Sequence, residues 1–245
     1  MPAPRELLCN ILAERTVDDL AAAREAFSDL PDYVPGKAQA FKWERSNGES
    51  HDLTVVALRK SGYGKSTTLN GLLRENVFET SDISGCTRTL QSIEYRFSTA
   101  QGQYYCSFAD LPGLGETRSL DEEYYPLYRD TLRMAHVVLY FLRADQRDYS
   151  IDQRAFDELV RGSLASDKVI LVLNAIDRIE PLNRALPFSP SMEQQRSLKE
   201  KIEVVQRIFS VPKTAIVSIS GAEVCNLDGL ARMIVQRLAP LLFAA

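Results

Sequence analysis

The chain contains no run of about 18 uninterrupted apolar residues, so no membrane-spanning helix is expected. Its opening, MPAPRELLCN, lacks the basic region, long apolar run and small-residue cleavage site of a secretory signal. No lipidation motif stands at either end, and a cytoplasmic location is the expectation. Positive charge is not in excess: 29 Lys and Arg against 33 Asp and Glu give −4 at pH 7. That excludes a broad electrostatic footprint for nucleic acid, and no DNA partner is expected. The four cysteines, Cys9, Cys86, Cys106 and Cys225, are far apart and form no CxxC pair. Neither a disulfide framework nor a zinc site is expected from them. The two histidines, His51 and His136, are isolated, and His136 opens an apolar run where a structural role is expected. Nucleophile triads, metal-ligand clusters, aromatic nucleic-acid platforms, repeats and low-complexity segments are all missing.

What is present suits 245 residues of ordinary composition: one large domain with a sizeable core, or that domain plus a helical extension. Over residues 3–30, Leu7, Leu8, Ile11, Leu12, Val17, Leu20, Phe27 and Leu30 recur at helical spacing. Thr16 or Asp18 could cap a second helix there. LPDYVPGKAQ then interrupts regular structure. Residues 1–50 therefore read as an N-terminal helical extension and linker, packed on the main domain. A partner-binding or membrane-surface helix is the alternative, weakened by a polar face of mixed charge.

From residue 51 to 245, apolar runs alternate with helical segments. Strands are expected at 53–58, 90–98, 103–110, 136–143, 168–174 and 214–220. Helices are expected at 65–75, 152–162, 192–209 and 227–242. TAQG, between the second and third strands, reads as a hairpin turn, so one strand is antiparallel. The fold class is α/β: a mostly parallel six-stranded sheet with helices on both faces.

The first strand runs into RKSGYGKSTT. A phosphate loop turns successive backbone N–H groups inward and adds the positive end of the following helix. Ser61, Gly62, Tyr63, Gly64, Lys65, Ser66 and Thr67 are the candidate phosphate-binding residues. Lys65 would reach the terminal phosphates, and the Ser66 hydroxyl would bind Mg²⁺. Arg59 stands where the motif has its first glycine. It should cost backbone freedom and must find room for a long side chain.

DLPG (110–113) follows an apolar strand 45 residues after Lys65, NAID (174–177) follows another, and VSIS (217–220) ends a third. In this order the motifs resemble those of a Ras-like P-loop G domain, and more narrowly the Era-like (TrmE–Era–EngA) GTPases. ISGCTRTLQSIEYRF resembles their switch I. DLPGLGET and the YYPLYRDTLRMAHVVLYFLRADQR that follows resemble the bacterial branch of ribosome-binding GTPases of the YfjP/YeeP type. The resemblance covers roughly residues 52–242.

The resemblance implies GTP or GDP with Mg²⁺ as the bound groups, in a molecular switch that hydrolyses GTP. Asp110 and Thr87 would join Ser66 around Mg²⁺, and Gly113 would present its N–H to the γ-phosphate. Lys65, Thr87 and Gly113 are thus the expected catalytic set. Asp177 would accept the N1–H and N2–H₂ edge of guanine, which adenine lacks. Asn174 would fasten this loop to the phosphate loop. Ser218 and Ile219 match the motif position whose backbone N–H meets the guanine oxygen. Three positions depart from the pattern: Arg59, Ala175 in place of a lysine lying over the base, and Leu114 in place of a water-orienting glutamine. Gly62 stands where a potassium-binding asparagine is found in some relatives. Arg88 and Arg118 are the switch arginines able to supply charge in cis. Slow intrinsic hydrolysis is expected, raised by a partner or by homodimerisation through the switch regions. A ribosomal partner rests on the resemblance alone. The alternative is a degenerate module that binds nucleotide without hydrolysis, or a scaffold.

Overall fold

Six apolar or alternating runs pair edge to edge, because each has a face, or two, that water must not reach. The strands are β1 (Ser50–Leu58), β2 (Gln91–Thr99), β3 (Gly102–Asp110), β4 (Val137–Arg143), β5 (Val169–Asn174) and β6 (Ile216–Ser218). Their order across the sheet is β2-β3-β1-β4-β5-β6. Only β2 runs antiparallel, in register with β3 from Gln91↔Asp110 to Thr99↔Gly102. The expected single antiparallel strand is therefore observed. The computed structural model describes residues 50–78, 80, 91–99, 102–113, 118–161, 168–182 and 185–242. The expected N-terminal extension, apart from Ser50, lies outside these residues, as do Thr87, Arg88 and Leu114, and the side chain of Arg118 is likewise not described.

Helices α1 (Lys65–Leu73) and α5 (Leu227–Leu242) cover one face of the sheet. Val55, Ala57, Leu139, Phe141, Ile170 and Val172 point that way and meet Leu69, Leu72, Leu230, Ile234 and Leu238. Helices α2 (Arg118–Met134), α3 (Ser150–Phe156) and α4 (Met192–Phe209) cover the other. There Val56, Leu58, Val138, Tyr140, Leu171 and Leu173 meet Leu127, Tyr128, Phe156, Val205 and Phe209. Adjacent strand residues point to opposite faces, so both cores come from the same unbroken apolar runs. Tyr140, Phe156 and Phe209 stack edge to face, with Tyr140–Phe156 and Phe156–Phe209 centroids 5.0 and 5.2 Å apart.

Three elements depart from the sequence expectations. No helix is expected between 111 and 135, yet α2 fills most of that gap with Pro126 inside it. Proline disfavours a helix interior, but burial of Leu127, Tyr128 and Leu132 outweighs that local cost. The expected helix 152–162 is α3 followed by a π-helical turn, Asp157–Arg161. The expected strand 214–220 shortens to β6, preceded by a 3₁₀ turn over Lys213–Ala215.

His136 has the expected structural role: its Nδ1 accepts the Thr54 N–H at 3.0 Å and its own N–H reaches the Thr54 carbonyl. Helix α4 starts on a capping box, with Ser191 Oγ accepting the Gln194 N–H and Gln194 Oε1 accepting the Ser191 N–H. Among the described residues, no helix is long and apolar enough to cross a membrane. The five parallel strands all end on one edge of the sheet. That edge collects Arg59, Asp110, Arg143, Asn174 and Ser218, and the crevice beyond such strand ends is where open α/β sheets bind ligands.

Candidate nucleotide site

The phosphate loop joins β1 to α1, with Gly62 at φ 78° and Gly64 at φ 79°. Gly64 is the residue preceding the first turn of α1. A Cβ there would run into the Asn174 carboxamide, and its φ is one that L side chains rarely adopt. No side chain caps α1 and no acidic residue stands in its first turn. Its N–H groups and partial positive charge therefore face the loop, the arrangement that holds a phosphate.

Lys65 and Asp110 meet below this loop. Lys65 Nζ lies 3.8 Å from Asp110 Oδ1, both residues being buried. Ser66 Oγ donates to Asp110 Oδ2. Asp110 is 0% exposed, and burial pushes its carboxyl above the usual carboxylate range, opposed by Lys65 and the Ser66 hydroxyl. Its Oδ1 accepts no hydrogen bond among the described residues. An under-satisfied buried carboxylate beside a hydroxyl is a hard oxygen donor set, and it fits Mg²⁺. The structure thus brings Lys65, Ser66 and Asp110 together; Thr87, expected beside Ser66 and Asp110 as a metal ligand, lies outside the described residues.

Gly113 is buried against the same loop. A Cβ added to it would overlap the backbone of Ser61. The DLPG turn therefore touches the phosphate loop through a contact that only glycine permits. Gly113→Ala is expected to destabilise the protein by about 1–3 kcal/mol through overpacking. A thermal melt of the nucleotide-free protein checks this, and an unchanged melting temperature would contradict the contact.

On the base side, Asn174 ends β5 and joins two loops. Its Nδ2 donates to the Tyr63 carbonyl at 2.9 Å, and its Oδ1 accepts the Gly221 N–H at 2.9 Å. Ala175, at φ 63°, turns the chain into a 3₁₀ turn that carries Asp177. Ser220 Oγ donates to Asp177 Oδ1 at 2.6 Å, and the Glu223 N–H donates to Ser220 Oγ. One carboxylate oxygen is thereby oriented from the protein side.

One expectation shifts here. The N–H of Ile219 is donated to the Leu173 carbonyl at 2.9 Å and the residue is fully buried, so it has no N–H left for a base. Ser218 lies in β6 opposite Leu173, and its carbonyl accepts from Asn226. The turn that meets Asp177 and Asn174 is Ser220–Gly221, two residues further on. The Ser220–Gly221 pair just beyond β6 was the available signal, since pairing holds Ile216–Ser218 in the sheet and the Ile219 N–H goes to Leu173.

Arg59 is the other residue whose role the sequence left open. Its φ is 150°, a region that favours glycine, so the expected backbone cost is present. Its side chain has found room: it is 2% exposed and paired with Asp152 of α3, which is 1% exposed. Both Arg59 Nε and Nη2 stand 2.5 Å from Asp152 Oδ1. The guanidinium also lies 5.6 Å from the ring centroids of Tyr63 and Tyr140. Arg59 thus braces the loop from the α3 side.

Comparison with known proteins agrees with this geometry. Residues 54–175 match the family described as 50S ribosome-binding GTPase. YfjP of Escherichia coli (strain K12) is 31% identical over 78% of this chain, and YkfA of the same organism is 27% identical over 78%. The chain spans 63% of the length of each. GTPase Era of Aquifex aeolicus (strain VF5) is 26% identical over 75% of this chain and 56% of its own. The solved structure of Aquifex aeolicus Era Y63A bound to GDP·AlF₄⁻ superposes with a TM-score of 0.60 at 23% identity, covering 77% of this chain and 56% of that one. Toc33 from Arabidopsis thaliana, with Mg²⁺ and GMPPNP, gives 0.54 at 16% identity over 94% and 95% of the two chains. The domain built around this phosphate loop is similar in sequence to the Era-like P-loop GTPases.

Proposed function

We propose that the chain is a Mg²⁺-dependent GTPase that switches between GTP- and GDP-bound states and has slow intrinsic turnover. The observation that carries this reading is Asn174 bonded to both the phosphate loop and the Ser220–Gly221 turn, beside an Asp177 oriented by Ser220. In this reading those bonds would tie a phosphate cradle and a base-reading carboxylate into one unit. Ser61 to Thr67 would wrap the phosphates, with Lys65 on the terminal ones. Gly113 would offer its N–H to the γ-phosphate. Asp177 would accept both donors of the guanine edge, and a base without that pair would strand a carboxylate oxygen.

Ser66, Asp110 and Thr87 would hold Mg²⁺, which when bound neutralises charge on the β- and γ-phosphate oxygens. The non-hydrolysing scaffold reading loses one of its supports, because the Arg59 guanidinium is engaged by Asp152 and does not fill the cradle. Within our reading the protein works in the cytoplasm. A protein or ribosomal partner, or a second copy meeting it through the switch regions, raises its turnover.

The test is a displacement assay with a fluorescent GDP analogue, followed by phosphate release. GTP and GDP are expected to displace the probe and ATP is not, and phosphate release from GTP is expected to be slow and to need Mg²⁺. Equal displacement by ATP would sink the guanine assignment. Binding without any phosphate release above buffer would leave the non-hydrolysing reading in its place.

A further inference from the structure

Tyr63 lies between the two positive-φ glycines of the phosphate loop, and it is held at both ends. Its carbonyl accepts from Asn174, and its hydroxyl donates to Gln146 Oε1 at 2.7 Å. Gln146 Nε2 donates in turn to Asp152 Oδ2 at 2.7 Å. Asp152 Oδ1 takes the Arg59 guanidinium, which lies over the Tyr63 ring. These contacts close a ring: Asp152, Arg59, Tyr63, Gln146 and back to Asp152. The ring is anchored to both neighbouring helices. Asp152 belongs to α3, and Lys201 of α4 donates to the Gln146 carbonyl at 2.6 Å. Tyr140 of β4 adds its hydroxyl to the Asp152 carbonyl at 2.7 Å.

We propose that Asp152 is a positioning residue of the phosphate loop, fixing its first residue through Arg59 and its middle residue through Gln146 and Tyr63. Arg59 sits in a backbone region that L residues avoid, and such a conformation persists only where the surroundings over-determine it. Asp152 supplies the buried countercharge for that guanidinium. One carboxylate serves two segments of the loop, one on each oxygen. An amide in its place can keep a single acceptor and no countercharge, and a half-satisfied buried network costs more than either extreme. The inference rests on the nucleotide reading of this loop for its functional meaning, though the positioning itself is measurable without ligand.

The experiment compares wild type, Asp152→Asn, and a control from the opposite core, Leu238→Ala. Amide hydrogen exchange over residues 59–66 is measured on the nucleotide-free full chain, and GDP affinity by calorimetry. Asp152→Asn is expected to raise exchange in the loop at least tenfold and to weaken GDP at least tenfold. Leu238→Ala is expected to lower the melting temperature and leave both loop readouts near wild type. The double variant Arg59→Gly/Asp152→Asn should regain part of the melting temperature that Asp152→Asn loses, because no buried cation is left unpaired. Tyr63→Phe should show the same loop loosening in smaller measure, and it decides the matter if Asp152→Asn does not fold. Loop exchange equal to wild type, or equal to that of the control, would overturn the proposal. A wild type that binds no GDP would instead overturn the functional reading, with the exchange result still deciding this one.

Discussion

An Asp177→Asn variant is expected to bind GDP at least a hundredfold more weakly than the wild type, with an unchanged melting temperature. The carboxylate is half-buried in a 3₁₀ turn, and its Oδ1 already accepts from Ser220. An asparagine oxygen can still accept that bond, so the turn keeps its shape. In the proposed site, what changes is the group set against the base. Guanine presents two donors, and a carboxamide can set an NH₂ group against them where the carboxylate offered an acceptor. Each buried polar group left unsatisfied costs about 1–3 kcal/mol. A hundredfold loss corresponds to about 2.8 kcal/mol, within reach of that mismatch. Sites built on hydrogen bonds reject a mismatched partner by larger factors still. Calorimetric titration checks the number, and GDP affinity equal to wild type would show that Asp177 does not read the base.

Arg59→Gly is the second large effect, and its sign runs against the motif. Glycine restores the residue that a phosphate loop ordinarily has at this point. It relieves a φ of 150°, worth about 1–3 kcal/mol. It also strands Asp152, which is 1% exposed, and breaking one side of a buried ion pair costs about 3–5 kcal/mol. The two cation–π contacts to Tyr63 and Tyr140 go as well. Loss of the ion pair outweighs relief of the strain, and a net destabilisation of about 2 kcal/mol is expected. For a chain of this size that lowers the melting temperature by about 4–8 °C. A scan of the nucleotide-free protein checks it; a higher melting temperature would mean that backbone strain at Arg59 outweighs its pairing with Asp152.

Arg59 also marks a limit on what a local motif can convey. The loop pattern is contiguous, so the departure from glycine is plain in the sequence and implies a cost. The compensation is not plain, because Asp152 lies 93 residues away and nothing near Arg59 points to it. The strands are legible because unbroken apolar runs such as VVLYFLR and VILVLN suit only a sheet covered on both faces. The edge strand β2 is legible from its turn and alternation. Helix α2 is not, since its helical pattern is carried by packing and is interrupted by Pro126. At the site, the motifs name Lys65, Ser66, Asp110, Asn174 and Asp177, and the structure joins Lys65 and Ser66 to Asp110, Asn174 to the phosphate loop, and Asp177 to Ser220. The turn that meets Asn174 and Asp177 is Ser220–Gly221, beyond the expected Ser218–Ile219, and motif spacing does not report that the Ile219 N–H is already given to Leu173.

The central claim is that Asn174 and Asp177 make this phosphate loop part of a guanine-specific site. Its most direct test is calorimetric titration of the wild-type chain with GDP and, separately, with ADP, each in the presence of Mg²⁺. We expect saturable one-to-one binding of GDP and, at the same concentrations, no measurable heat from ADP. Equal affinity for the two nucleotides, or heat from neither, would contradict the account.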